Sequence, residues 1–188
     1  IMGKFDLALS EINRAMELEP VAPSLHSCAT QILYSARRYD EAIRQGNATL
    51  EMAPTFYGLF GWIGAAYVMN GLLDSGLAAL KEGLQHLPED PRLQALYGTA
   101  CAISRDVEGA NAALARLTTM SAEKYVDPYY VAWLLQATGN RADACGSLEK
   151  AYEEHSNWLP WVAVDPLMDG LRSDPRYVAL INKTGLRR

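Results

Sequence analysis

Small residues recur in this chain every 34 positions, and that spacing limits its possible folds more than any other feature. Stepping from Ala8 reaches Ala42, Gly76, Ala110 and Ala144. The series Phe5, Tyr39, Leu73, Val107 and Arg141 holds bulky side chains at the same interval. Ile12, Gly46, Leu80, Leu114 and Leu148 form a third column, and Ala15, Thr49, Gly83, Leu117 and Ala151 a fourth. Gly3, Gly71 and Gly139 share a further position, with Arg37 and Arg105 between them. Prolines fall at Pro20, Pro54 and Pro88, after which Ala122 and Ser156 take their place. A fixed period of this length, kept in phase without insertions, means a stack of like units in which each shields the apolar side of the next.

The residue types say what the unit is. A small residue followed four positions later by a large one lies on one face of a helix. The small residue admits a neighbouring helix and the large one fills the adjoining groove. Gly suits a turn between two helices, where the backbone often becomes left-handed. Pro ends a helix because it cannot continue its interior. Each unit is therefore helix A, a tight turn, helix B and a short link. Helix A is clearest in LFGWIGAAYVMNG, residues 59–71, and helix B in DEAIRQGNATLEMAP, residues 40–54.

The set Gly64, Tyr67, Gly71, Gly76, Leu80 and Pro88, with Tyr39, Ala42 and Pro54 one period earlier, resembles the tetratricopeptide repeat (TPR) over roughly residues 3–156. The resemblance implies an all-α fold, a right-handed α-α superhelix of TPR helix pairs. Residues 1–156 parse as a lone helix B at about 3–20 and repeats at about 21–54, 55–88, 89–122 and 123–156. Gly46 stands where the family has a large residue, and Arg141 where it has an aromatic. The proline column lapses in the last two repeats, so those B helices must end by other means. Residues 157–188 break the period and are predicted to be C-terminal capping helices, near 166–171 and 174–184. Asp90-Pro91, Asp127-Pro128, Asp165-Pro166 and Asp174-Pro175 each combine an N-cap residue with a first-turn proline. The final segment, with YVDPYYVAWLLQATGNRADACGSLEKAYEE before it, is similar to the C-terminal end of repeat modules in bacterial signalling proteins.

Composition narrows the function. A formal net charge of -5 disfavours a nucleic-acid binder, which needs a basic face. No stretch approaches the roughly 18 apolar residues of a membrane span. The opening residues are already an amphipathic helix rather than a signal peptide, and a start at Ile1 suggests a fragment. Cys28, Cys101 and Cys145 lack paired spacing and read as reduced thiols, mostly buried, of a cytoplasmic protein. The sequence has no phosphate loop, HExxH or CxxC pair. His26 and Cys28, two apart on one helix, face different ways, and His86 and His155 sit near helix ends, where a cation suits the dipole. The expectation is a protein with no enzyme activity, no cofactor and no bound metal.

In the family's geometry helix A lines the concave face. Applying the 34-residue phase, the residues predicted to meet a partner are Gln31, Tyr34, Ala65, Met69, Arg92, Thr99, Tyr129, Trp133 and Gln136. Such a groove is polar at one end, small and apolar in the middle and aromatic at the other, which suits a helix laid into it. It lacks the Lys and Asn cluster with which some family members hold a terminal carboxylate. The expected function is a protein-protein interaction scaffold, part of a larger regulatory protein; a self-association module is the alternative. A helix B without its helix A leaves Phe5, Ala8, Ile12 and Ala15 open on one side, and each large apolar side chain gains about 1.5–3 kcal/mol when covered. That predicts a cover, either preceding chain or a second copy in a homodimer through the N-terminal edge.

Overall fold

The computed structural model describes residues 4–186, so Gly3, the first member of the turn column, lies outside the described residues. The described residues form helices and connecting turns, and group into two compact units, residues 4–88 and 89–186.

The first unit contains α1 (Phe5–Leu18), α2 (Pro23–Ser35), α3 (Tyr39–Met52), a 3-10 turn (Tyr57–Leu59) running into α4 (Phe60–Met69), and α5 (Leu73–His86). The α2 and α3 helices pack as one pair and α4 and α5 as another, with α2 also against α4. Glycine makes the second pair close. A Cβ on Gly64 would stand 2.5 Å from Leu80 Cγ and 3.2 Å from the Gly76 carbonyl oxygen. One on Gly76 would stand 3.0 Å from the Gly64 carbonyl oxygen. Gly46 also has a physical reason: Ile63 of α4 occupies the space its side chain would need, so the large residue is supplied from the next pair.

The second unit contains α6 (Pro91–Ile103), α7 (Val107–Glu123), α8 (Pro128–Ala137) and α9 (Arg141–Glu153). Two 3-10 segments follow, Leu159–Trp161 and Pro166–Leu171, and then α10 (Pro175–Thr184). The α6/α7 and α8/α9 pairs repeat the arrangement, and α10 packs on α9. Ala110, Ala144, Leu148 and Ala151, all from the periodic columns, are buried between them. The bulky column thins out here: Val107 and Arg141 begin their helices exposed to solvent, so an aromatic is not required at Arg141.

Each A-to-B turn is built alike. Arg37, Gly71, Arg105 and Gly139 all have left-handed backbones, with φ of 63°, 81°, 66° and 84°. The next residue donates its N–H to a carbonyl five positions back: Arg38 to Leu33, Leu72 to Tyr67, Asp106 to Cys101 and Asn140 to Leu135, at 2.8–2.9 Å. This is the hydrogen bond that closes a helix whose end turns left-handed. The two arginines adopt a conformation that glycine reaches without cost. The same device ends α9, where the proline column has lapsed. His155 has φ of 54°, and Ser156 N–H donates to Ala151 O at 2.9 Å. All four Asp-Pro steps cap helices. Asp90 accepts from Arg92 and Leu93, Asp127 from Tyr129, Asp165 from Leu167 and Asp174 from Arg176, at 2.8–3.0 Å.

Candidate protein-interaction face

Helix A has two tasks. One flank must seat its own helix B and the neighbouring A helix; only what remains can meet a partner. In the first unit this division falls between Tyr34 and Gln31 on α2. Tyr34 is buried, with its ring centroid 5.6 Å from that of Trp62 and 6.0 Å from that of Tyr39. Gln31 is half-buried. On α4, Ala65 is buried and Met69, one turn on, is half-buried. The accessible members of the expected set in this unit are therefore Gln31 and Met69, both reduced in area by their neighbours.

In the second unit Thr99 is buried and its hydroxyl donates to Ala95 O at 2.8 Å. Tyr129 and Trp133 are also buried, and both serve one carboxylate. The Tyr129 hydroxyl donates to Asp165 Oδ2 at 3.0 Å and the Trp133 indole N–H donates to the same oxygen at 2.7 Å. Asp165 Oδ1 accepts from Leu167 N–H at 2.9 Å. Burial pushes the Asp165 carboxyl up from its ordinary range, against the pull of these three donors. Beside it, Asp127 Oδ2 accepts from the Ser156 hydroxyl at 2.7 Å, tying the start of α8 to the end of α9. Tyr129 and Trp133 thus join the last helix pair to the cap, and their side chains are not offered to a partner. Tyr34 is lost to a partner for another reason, since it packs against Trp62 of the neighbouring A helix; Ala65 and Thr99 are also buried.

Arg92 and Gln136 remain half-buried. Gln136 lies over Gly170 of the cap, its amide end occupying the space a side chain at 170 would enter. Arg92 has its guanidinium buried close to Asp90 and Tyr130, and burial lowers its pKa while those two groups raise it. Two further residues belong to this group that the phase argument left out. Tyr130 and Trp158 are half-buried, with ring centroids 5.7 Å apart, and Trp133 lies 5.3 Å from the first and 6.2 Å from the second. The Tyr130 hydroxyl is pushed up to about 12, first by burial and then by the charge of Asp127, while Arg92 and a hydrogen bond from Trp158 oppose the shift. The available signal was the Asp127-Pro128 step. It fixes where α8 begins, and so that Tyr129 and Tyr130 point different ways from its first turn.

The histidines and cysteines are accounted for locally. His26 pairs through Nε2 with Pro20 O at 2.8 Å and through Nδ1 with the Gln45 amide at 3.0 Å. His86 stacks on Tyr57 at 3.9 Å. Cys28 is exposed, Cys101 and Cys145 are buried, and all three are free thiols. Among the described residues no helix is long and apolar enough to cross a membrane.

Solved structures resemble this arrangement across nearly the whole chain. A thermophilic TPR protein of Thermus thermophilus superposes with a TM-score of 0.67 at 20% identity, covering 96% of this chain and 92% of that one. The chain has the tetratricopeptide-repeat fold. MamA of Desulfovibrio magneticus RS-1 is also similar, with a TM-score of 0.55 at 18% identity over 82% of this TPR chain and 88% of its own. In sequence, the chain is 30% identical over 93 residues to a wheat (Triticum aestivum) Hsp70-Hsp90 organizing protein. That match spans 50% of the present chain and 16% of the wheat protein. No family model matches the sequence.

Proposed function

We propose that this TPR chain is a protein-interaction scaffold that binds a peptide or partner protein through the accessible A-helix residues of each unit. It would supply a docking arm to a larger regulatory protein in the cytoplasm, without catalysis; the three free thiols are consistent with a reducing compartment. The observation that supports the reading best is the group formed by Arg92, Tyr130 and Trp158. Arg, Tyr and Trp are the residue types that most often carry binding energy. Here Tyr130 and Trp158 retain accessible surface, with the buried Arg92 guanidinium behind them, beside a bonded base of Tyr129, Trp133 and Asp165. A ligand meeting them loses little entropy from the receptor side. The wheat relative, whose name describes the organizing of two other proteins, points the same way.

A displayed peptide library selected on the full chain tests the proposal. Peptides held by the second unit should lose about tenfold or more in affinity, some 1.4 kcal/mol, when Tyr130 is changed to Ala, and peptides held by the first unit should lose as much when Met69 is changed to Glu. They should keep their affinity when Glu108, exposed on α7, is changed to Lys. Binding that ignores the first two changes and responds to the third would refute the assignment to helix A.

A further inference from the structure

Two clefts between B helices of the first unit share one plan and differ in what fills them. Helices α1 and α3 both pack on α2, and α3 and α5 both pack on α4, so an A helix floors each cleft. In the second cleft the floor sends up Tyr67, whose hydroxyl accepts from the Asn47 side-chain amide of α3 at 3.5 Å. At its mouth the Asn70 side chain donates to Asp40 Oδ1 at 2.8 Å. The residues 34 positions earlier are Leu33, Asn13, Ala36 and Asp6. The first cleft thus keeps the asparagine and the aspartate of its wall and loses both side chains that met them. In their place is an open space of about 500 Å³, with Leu9, Ala29 and Leu33 at its base. That volume is within the range of small-molecule sites.

The space does not depend on the chain ahead of α1. In the second cleft, where the chain ahead of α3 is present, the filling group comes from the helix beneath and the closing group from the turn that follows it. The first cleft has both parts in place, α2 beneath and residues 36–38 after it. A leucine and an alanine do not reach as far as a tyrosine and an asparagine.

The rim carries charge. Arg38 donates from Nε and Nη2 to the Glu41 carboxylate at 2.7 and 2.6 Å. Asp6 lies 3.9 Å from Arg38 Nη1, beyond a hydrogen bond, and leaves the rim with an excess negative charge. Asp6 and Asn13 are seven residues apart on one face of α1, about 10 Å along its axis. A benzene ring with a hydroxyl at one end and a two-carbon amine at the other bridges that span.

We infer that this cleft binds a small phenolic amine. The ring lies on Leu9, Ala29 and Leu33, the hydroxyl takes the role of the Tyr67 hydroxyl beside Asn13, and the ammonium pairs with Asp6. The site is on the B-helix side, apart from the A-helix residues invoked above, and either stands without the other.

Tyramine is the probe, titrated into the isotope-labelled full chain. It should give saturable NMR shifts at the amides of α1, α2 and α3 around the cleft, with a dissociation constant of about 1 mM or tighter. Phenethylamine lacks the hydroxyl and should bind about three- to tenfold more weakly. Asn13→Ala should erase that difference. Asp6→Asn should weaken tyramine binding and remove its salt dependence. Leu33→Tyr installs the side chain that fills the second cleft, so the chain should stay folded by circular dichroism while tyramine binding falls about tenfold or more. Asp6 and Asn13 are exposed, so their two variants keep the test valid if Leu33→Tyr unfolds the chain. Tyr130→Ala should leave tyramine binding unchanged, which separates it from the interaction proposed above. Absence of saturable shifts at about 10 mM tyramine, ten times the expected constant, would overturn the inference. So would shifts gathered on other helices, or undiminished binding to a folded Leu33→Tyr chain. A capped peptide Ala-Lys-Tyr-Ala that binds more tightly than tyramine would also overturn it, by making the ligand a tyrosine of another protein.

Discussion

Gly76→Ala opposes two effects of known sign. Replacing glycine by alanine inside an exposed helix ordinarily stabilises it by about 1 kcal/mol. At position 76 the new methyl would stand 2.5 Å from Val68 Cγ2, 3.0 Å from the Gly64 carbonyl oxygen and 3.1 Å from the Val68 amide nitrogen. Carbon atoms prefer separations of about 3.5–4.0 Å. The valine methyl can rotate aside, but the two backbone atoms belong to α4 and move only if α4 and α5 separate. Overpacking of this kind costs about 1–3 kcal/mol, occasionally more. Because backbone must yield, the upper part of that range applies, and the net effect is a loss of about 1–2 kcal/mol. At 2–4 °C per kcal/mol for a chain of this size, the melting temperature should fall by roughly 2–8 °C. Gly146→Ala is the matched control. It lies inside α9, with nothing nearer than Arg176 Nη2 at 3.7 Å, so it should raise stability by about 0.5–1 kcal/mol. Urea and thermal melts followed by circular dichroism measure both. A Gly76→Ala chain as stable as its parent would mean that α4 and α5 are not held by backbone contact at Gly64 and Gly76.

Three further outcomes follow from the turns and the cap. Arg105→Gly relieves a left-handed arginine and should stabilise the chain by about 0.5–1 kcal/mol after the entropy of the added glycine is subtracted; an unchanged or lower urea midpoint would contradict this. Asp165→Asn would set an amide donor against either the Leu167 N–H or the Tyr129 and Trp133 donors, and should cost about 1–3 kcal/mol in the same assay. Ser156→Ala removes the hydroxyl that Asp127 Oδ2 accepts from, and should cost a similar amount, whereas changing the exposed Ser173 to Ala should have little effect.

Much of this fold is legible in the sequence because a stack of like units repeats its constraints. Ala42, Gly76, Ala110 and Ala144 are each small for the same reason, so the column is readable where one residue would not be. The four Asp-Pro steps carry their meaning locally, through a side chain that caps and a ring that fixes φ. Other features depend on neighbours distant in sequence. Gly46 reads as a departure until Ile63 is seen to fill its space. The end of α9 depends on His155 taking a left-handed backbone, which no periodic column signals. The inner face was least legible, because periodicity places a residue on a helix face without saying whether a neighbouring helix already occupies it. Tyr129 and Trp133 were the most aromatic candidates, and both are consumed by Asp165, a residue of the aperiodic tail. Tyr130, next to one of them, retains the accessible surface.

Amide shift mapping of the full chain with a library-selected peptide tests the scaffold reading most directly. The perturbed residues should gather on the A helices, around Gln31 and Met69 in one unit or around Arg92, Tyr130 and Gln136, with the adjoining Trp158, in the other. Perturbations gathered instead along the B helices α3, α5, α7 and α9 would contradict it.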